Sequence, residues 1–234
     1  MTTYKETNGT NIEILSEDPA NPVQGQIWYN TTSSTLKGLG YVATGAWASG
    51  GNLNTARAAT GGAGTQTAGL AFGGGYPAKA NTESYNGSSW TELNDLNTAR
   101  AELAGTGTQT AALAFGGYPV LSLTETWNGT NWTEVNNLNT GRDNVGSATA
   151  GTNTATLAFG GLSLTANTEL WNGTNWTEVN NLNTATRGIA GAGTSTSALS
   201  SGGANPGITA NTETWNGTNW TEVNNLNTAR RNLS

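Results

Sequence analysis

The chain has no cysteine, no histidine and a single methionine, and only 10% of its residues are charged. Without cysteine a disulfide framework is impossible. Without either residue the usual general base, thiolate nucleophile and zinc ligands are all missing. Nine Lys and Arg stand against fifteen Asp and Glu, for a net charge of −6. That leaves no basic patch to replace counterions along phosphates, so nucleic acid is not an expected partner. No run of about eighteen apolar residues could span a bilayer. Met1-Thr2-Thr3-Tyr4-Lys5-Glu6 lacks the apolar stretch of a signal peptide, so neither membrane insertion nor a Sec address is expected. Charge lies well below the ~25% of an average soluble domain. The polar content is therefore Thr, Asn, Ser and 33 glycines, the composition of a turn-rich β protein. Nine regularly spaced tryptophans argue against disorder.

The dominant feature is a repeat. Trp47, Trp90, Trp132, Trp176 and Trp220 are separated by 43, 42, 44 and 44 residues. Leu70-Ala71-Phe72-Gly73-Gly74, Leu113-Ala114-Phe115-Gly116-Gly117 and Leu157-Ala158-Phe159-Gly160-Gly161 keep the same period, and Leu199-Ser200-Ser201-Gly202-Gly203 is a degraded fourth copy. A third marker, Asn-Thr-(Ala/Gly)-Arg, ends at Arg57, Arg100, Arg142 and Arg230, with Asn183-Thr184-Ala185-Thr186-Arg187 read as carrying one inserted residue. Each unit reads as four short strands. In the second they fall near 102–105, 111–115, 123–127 and 132–135, with a turn at 107–110. Asn128-Gly129 tolerates positive φ and marks the last hairpin. No helical periodicity persists over eleven residues.

The double glycine, an aromatic before a turn (Trp127, or Tyr85 in the first unit), a Trp about five residues later and an Arg before the next first strand together resemble the kelch repeat family, over roughly residues 52–230. The resemblance implies an all-β, kelch-like β-propeller of four-stranded blades, and for function only a binding scaffold. Repeats are expected at about 54–97, 98–139, 140–183 and 184–227. A fifth blade, from 26–53 with 228–234, would close the ring by pairing the N- and C-terminal segments and remove its open edges. Residues 1–25 would be an attachment or closure segment, and 26–234 the propeller. If the ends do not meet, the units could stack between chains.

Alternation puts Glu125, Trp127, Trp132 and Glu134 on one face. A four-residue loop sets Glu125 opposite Glu134, a two-residue turn sets it opposite Trp132, and the sequence does not choose. The like-charge pair requires a cation; one Arg per unit is available, Arg57, Arg100, Arg142 and Arg187 in turn, and Arg100 or Arg142 is expected to reach these carboxylates between adjacent blades. Glu83/Glu92, Glu125/Glu134, Glu169/Glu178 and Glu213/Glu222 have the residue types of a glycosidase acid and base. Their recurrence in every unit favours structure, since an active site is made once. No catalytic residue, cofactor or metal is expected, because Asp18, Asp95 and Asp143 are scattered. Six of nine Asn-x-Ser/Thr sequons belong to the repeated turn, where Asn supplies geometry. Trp90, Trp132, Trp176 and Trp220 read as packing between blades in preference to sugar platforms.

The units differ most in their second-to-third-strand loops, which share one end with the constant links while the Asn-Gly hairpins take the other. These loops carry Tyr76, Pro77, Lys79, Tyr118, Pro119, Leu162, Leu164, Asn205 and Ile208, candidate ligand contacts on a rigid scaffold. Drift in tolerant loops is the competing reading. Residues 18–37, with Gly25-Gln26-Ile27-Trp28-Tyr29-Asn30, resemble a hairpin of tail-fibre and other virion proteins of tailed bacteriophages, marine ones especially. That resemblance implies a virion location and other virion proteins as partners. The expectation is a non-enzymatic adhesion module meeting a host-surface glycan or protein receptor. The alternative is a soluble lectin with equivalent sites between blades.

Overall fold

The computed structural model describes residues 12–21, 26–38, 49–162 and 165–232. They form two compact units divided between residues 49 and 50. In the first, Ile27–Asn30 and Thr35–Gly38 make the hairpin expected from the sequence, and Ile12–Leu15 adds to it in parallel. Asp18 holds this sheet together. Its carboxylate accepts from the Trp28 indole (2.9 Å) and the Asn30 carboxamide (2.7 Å) and pairs with Lys37 (2.7 Å). Bonds from Lys37, Trp28 and Asn30, in that order, hold its pKa down at about 2.

The second unit contains four four-stranded antiparallel blades, each a meander. The second blade runs Ala104–Thr108, Ala111–Phe115, Thr124–Trp127 and Trp132–Val135. Its first strand thus starts two residues and ends three residues later than the sequence suggests. The last hairpin has a four-residue loop, with Glu125 opposite Glu134 and Trp127 opposite Trp132. Only Gly129 of the Asn-Gly pair has positive φ (92°). Asn128 instead accepts from the amides of Thr130 and Asn131, both at 2.9 Å, a side-chain turn that frees the backbone from needing a second left-handed residue.

Blade packing follows one rule. Trp132, Trp176 and Trp220 set their rings edge-on against Phe72, Phe115 and Phe159 of the preceding blade, with centroids 4.9 Å apart each time. Each indole N–H donates to a buried threonine of that same blade: Thr82 (2.9 Å), Thr124 (3.0 Å) and Thr168 (3.0 Å). An edge contact of this kind adds about 0.5–1.5 kcal/mol beyond burial, and the bond satisfies a donor that would otherwise be stranded in the core. The double glycine lets the next link approach. At Gly116 (φ 68°) a Cβ would sit 2.6 Å from the Arg142 carbonyl oxygen.

The links also carry a fivefold pattern. Ala59, Glu102, Asn144, Gly188 and Asn232 all have φ between 51° and 60°. The amides of Glu102, Asn144, Gly188 and Asn232 donate to the carbonyls of Ala59, Glu102, Asn144 and Gly188 in turn, at 2.7–3.1 Å. Four of these positions lead into a blade and Asn232 stands where a fifth would begin, so the fold is an all-β propeller of fivefold geometry. Among the described residues, the strands within 27–38 pair with each other and with 12–15. Residues 228–232 form no strand; Arg230 instead bonds Gly203 and Thr209 of the fourth blade. Trp47 and residues 39–48 lie outside the described residues.

Candidate functional site

The loops between second and third strands bond to the link that follows them. The amides of Arg100, Arg142, Thr186 and Arg230 donate to the carbonyls of Lys79, Leu121, Thr165 and Thr209. The Asn-Gly hairpins abut the first hairpins instead, Gly129 against Thr110 for example. Loops and links therefore share one end, as the sequence suggested.

On that end the structure brings two predicted residues together. Tyr76 and Tyr118 are 59% and 47% exposed, with ring centroids 6.2 Å apart. Pro77 and Pro119 follow them, each after a cis peptide. Lys79 is only partly exposed, its stem lying near Gly75. Asn205 and Ile208 belong to a two-stranded ribbon, Ala204–Asn205 with Gly207–Ile208, and Ile208 is exposed. Leu162 is half-buried and Leu164 lies outside the described residues. Val120, exposed beside Pro119, joins the surface without having been singled out.

The sequence reading missed a recess of about 500 Å³ lined by the left-handed ring and the residues next to it, with Leu103, Val145 and Ile189 as its apolar part. At its rim the Tyr76 hydroxyl donates to the Glu102 carboxylate, and that bond, with burial, pushes the hydroxyl up to about 12. Asn144 donates to both Glu102 and Asp143. Burial raises the Asp143 carboxyl against the pull of Asn144, and its Oδ2 has no partner. A second recess of about 180 Å³ shares Asn144, Gly188 and Asn232 and adds Arg187 and Arg231. The signal was available: each ring residue stands at the same distance after the link asparagine, and Glu and Ala in a left-handed conformation are strained.

The arginines do reach carboxylates, but within a blade and not between adjacent blades. Arg57 and Arg142 donate to Glu83 and Glu169 at 2.6 Å, and Arg100 lies 3.2 Å from Glu125, every one of these side chains 0–1% exposed. Each Arg joins the Glu of the third strand in its own blade, while its backbone carries the chain across from the previous one. Burial lowers the Arg100 and Arg142 pKa values against the pull of Glu125 and Glu169. At Glu83 burial pushes up, and the amides of Asn54 and Thr55 with Arg57 outweigh it, holding the carboxyl below its ordinary value. Glu134, the opposite member of its pair, is exposed.

Arg187 requires correction. Asn183 bonds Glu213 and Trp220 as Asn139 bonds Glu169 and Trp176. The Thr186 carbonyl accepts from Gly161 as that of Arg142 accepts from Gly117. The link has no insertion: Thr186 takes the place of the arginine, and Arg187 falls one position beyond it. Among the described residues no group of three or more His, Cys, Asp or Glu could hold a metal ion, and no helix is long and apolar enough to cross a membrane. No protein-family model matches the chain, and no curated protein does.

Proposed function

We propose that the chain is a kelch-like, non-enzymatic binding and adhesion module of a tailed-phage particle, a tail-fibre or tail-associated protein whose loop face meets a host-surface glycan or protein. The observation that carries this reading is the exposed Tyr76–Tyr118 pair, seated on loops whose backbones bond to the links beside the axial recess. Aromatic rings held on a rigid scaffold offer contact area at low entropic cost, and concave recesses with a few convergent polar groups are where ligands seat. The virion assignment rests on the resemblance of residues 18–37 to phage hairpins, whose strands do pair.

The lectin alternative, with equivalent sites between blades, loses support from the tryptophans. Trp132, Trp176 and Trp220 are each 5% exposed and committed to the preceding blade, so they offer no face to a sugar. An acid–base role for the glutamate pairs is likewise disfavoured, since Glu83, Glu125 and Glu169 are buried against arginines.

A glycan array run beside light scattering tests the proposal. Binding that falls at least tenfold in Tyr76→Ala and Tyr118→Ala, with unchanged melting temperature, supports a loop-face receptor site. Binding that survives both substitutions removes the loop face from the reading.

A further inference from the structure

Three blades fill the space beside the buried glutamate with a guanidinium, and the fourth does not. In the third blade Arg142 donates to the carbonyls of Gly160 (3.3 Å) and Asn167 (2.7 Å) as well as to Glu169 (2.6 Å). In the first two, Arg57 and Arg100 also donate to the carbonyls of Ala71 and Ala114. Strand register carries all these acceptors into the fourth blade. Ser200 pairs with Glu213 as Ala158 pairs with Glu169, and Ser201 with Thr212 as Phe159 with Thr168. The carbonyls of Ser200, Gly202 and Asn211 and the Glu213 carboxylate therefore stand where a guanidinium is served elsewhere.

The residue at that point is Thr186, which is too short to reach them and spends its hydroxyl on the Ala204 carbonyl (3.3 Å). Glu213 is 3% exposed and receives amide bonds from Asn183 and Thr184. No Lys or Arg among the described residues lies within ion-pair distance of it. Arg187 does not substitute, since it falls one position beyond and makes no ion pair among the described residues. Buried charges in proteins are paired with an opposite charge or bound to a metal. A donor set made only of carboxylate and carbonyl oxygens suits a hard cation, and a single carboxylate calls for a single positive charge.

We propose that the fourth blade binds one alkali-metal cation between the Glu213 carboxylate and the carbonyls of Ser200, Gly202 and Asn211, in the place of the guanidinium of the other blades. The carbonyls can serve two partners, as that of Asn167 does in accepting from both Gly160 and Arg142.

The test is thermal unfolding of the full chain at constant ionic strength, with tetramethylammonium chloride replaced stepwise by sodium or potassium chloride. A saturable rise of about a few degrees with sodium or potassium is expected. It should vanish in Thr186→Arg, which restores the guanidinium, and in Glu213→Gln. Sodium NMR relaxation on the unmodified chain gives a readout independent of any variant's folding: broadening displaced by potassium is expected. Equal melting temperatures in all three salts, or an undiminished alkali effect in Thr186→Arg, overturns the site. A rise with calcium chloride alone overturns the alkali-metal assignment.

Discussion

In the third blade, Arg142 sends its carbonyl back to Gly117 and its guanidinium to Glu169, and Phe159 receives the edge of Trp220. In the fourth, the same backbone bonds recur through Thr186 and Asn183, but the arginine is a threonine and the phenylalanine is Ser201. The blade keeps its four strands regardless. The difference separates two jobs that the repeat performs together. Main-chain geometry, set by the double glycine and the asparagine that caps the third-strand glutamate, defines the blade. The phenylalanine seats the next blade's tryptophan and the arginine neutralises its own blade's glutamate, and both are abandoned in the fourth blade, which has no successor among the described residues.

If that division holds, damage should depend on which blade is struck. The largest effects belong to the first three. Arg142→Ala strands Glu169 in the core without a cation, and should cost about 3–5 kcal/mol in chemical denaturation. Phe115→Ala, which empties the seat of Trp176, should cost a similar ~3–5 kcal/mol. A loss under about 1 kcal/mol in either would mean that side chains matter as little there as in the fourth blade. The first blade adds a dependence on pH. The Glu83 carboxyl is held below its ordinary value in the folded state, so its contribution is complete above the unfolded pKa near 4.3 and is lost as pH falls through the lower folded value. Acid unfolding of Arg57→Ala should accordingly start at higher pH than that of the parent chain.

A middle-sized effect probes the indole bonds. Thr124→Val keeps the shape of the buried threonine and removes the acceptor of the Trp176 N–H, an unsatisfied donor worth about 1–3 kcal/mol. Thr212 occupies the same place in the fourth blade but donates to the Ala210 carbonyl (3.3 Å), which already accepts from Leu226. Thr212→Val should therefore cost less than about 1 kcal/mol. Matched losses at the two positions would show that an indole also seats on the fourth blade.

How much of this could be read from the sequence depends on whether the cause was local. Asn128-Gly129 and Gly116-Gly117 are local devices, and the strands they bound lie within two residues of expectation. The partners of Trp132 are some fifty residues away, yet the repeat foretold packing between blades because the same indole recurred at one step. Arg187 misled because residue identity was matched ahead of position: counting three residues from Asn183, as in every other link, ends on Thr186. The pairing of Ile12–Leu15 with Ile27–Asn30 was not legible at all. A four-residue parallel strand depends on a distant partner and carries no turn to announce it.

The smallest effect lies on the surface, where the comparison should disappear. Asn94, Asn136 and Asn180 donate across blade boundaries to the carboxamides of Asn131, Asn175 and Asn219 at 2.7–2.9 Å, all exposed to water. Such bonds exchange freely with solvent, so Asn136→Ala should cost no more than about 0.5–1 kcal/mol. Asn224 follows the fourth blade at the equivalent position with no such partner among the described residues, and Asn224→Ala should be neutral. If Asn136→Ala instead rivals Thr124→Val in denaturation, the blades are held as much by this outer ladder as by their buried aromatics, and the loss of Phe at Ser201 would then be tolerated for a different reason: the rim, and not the core, would be carrying the contact.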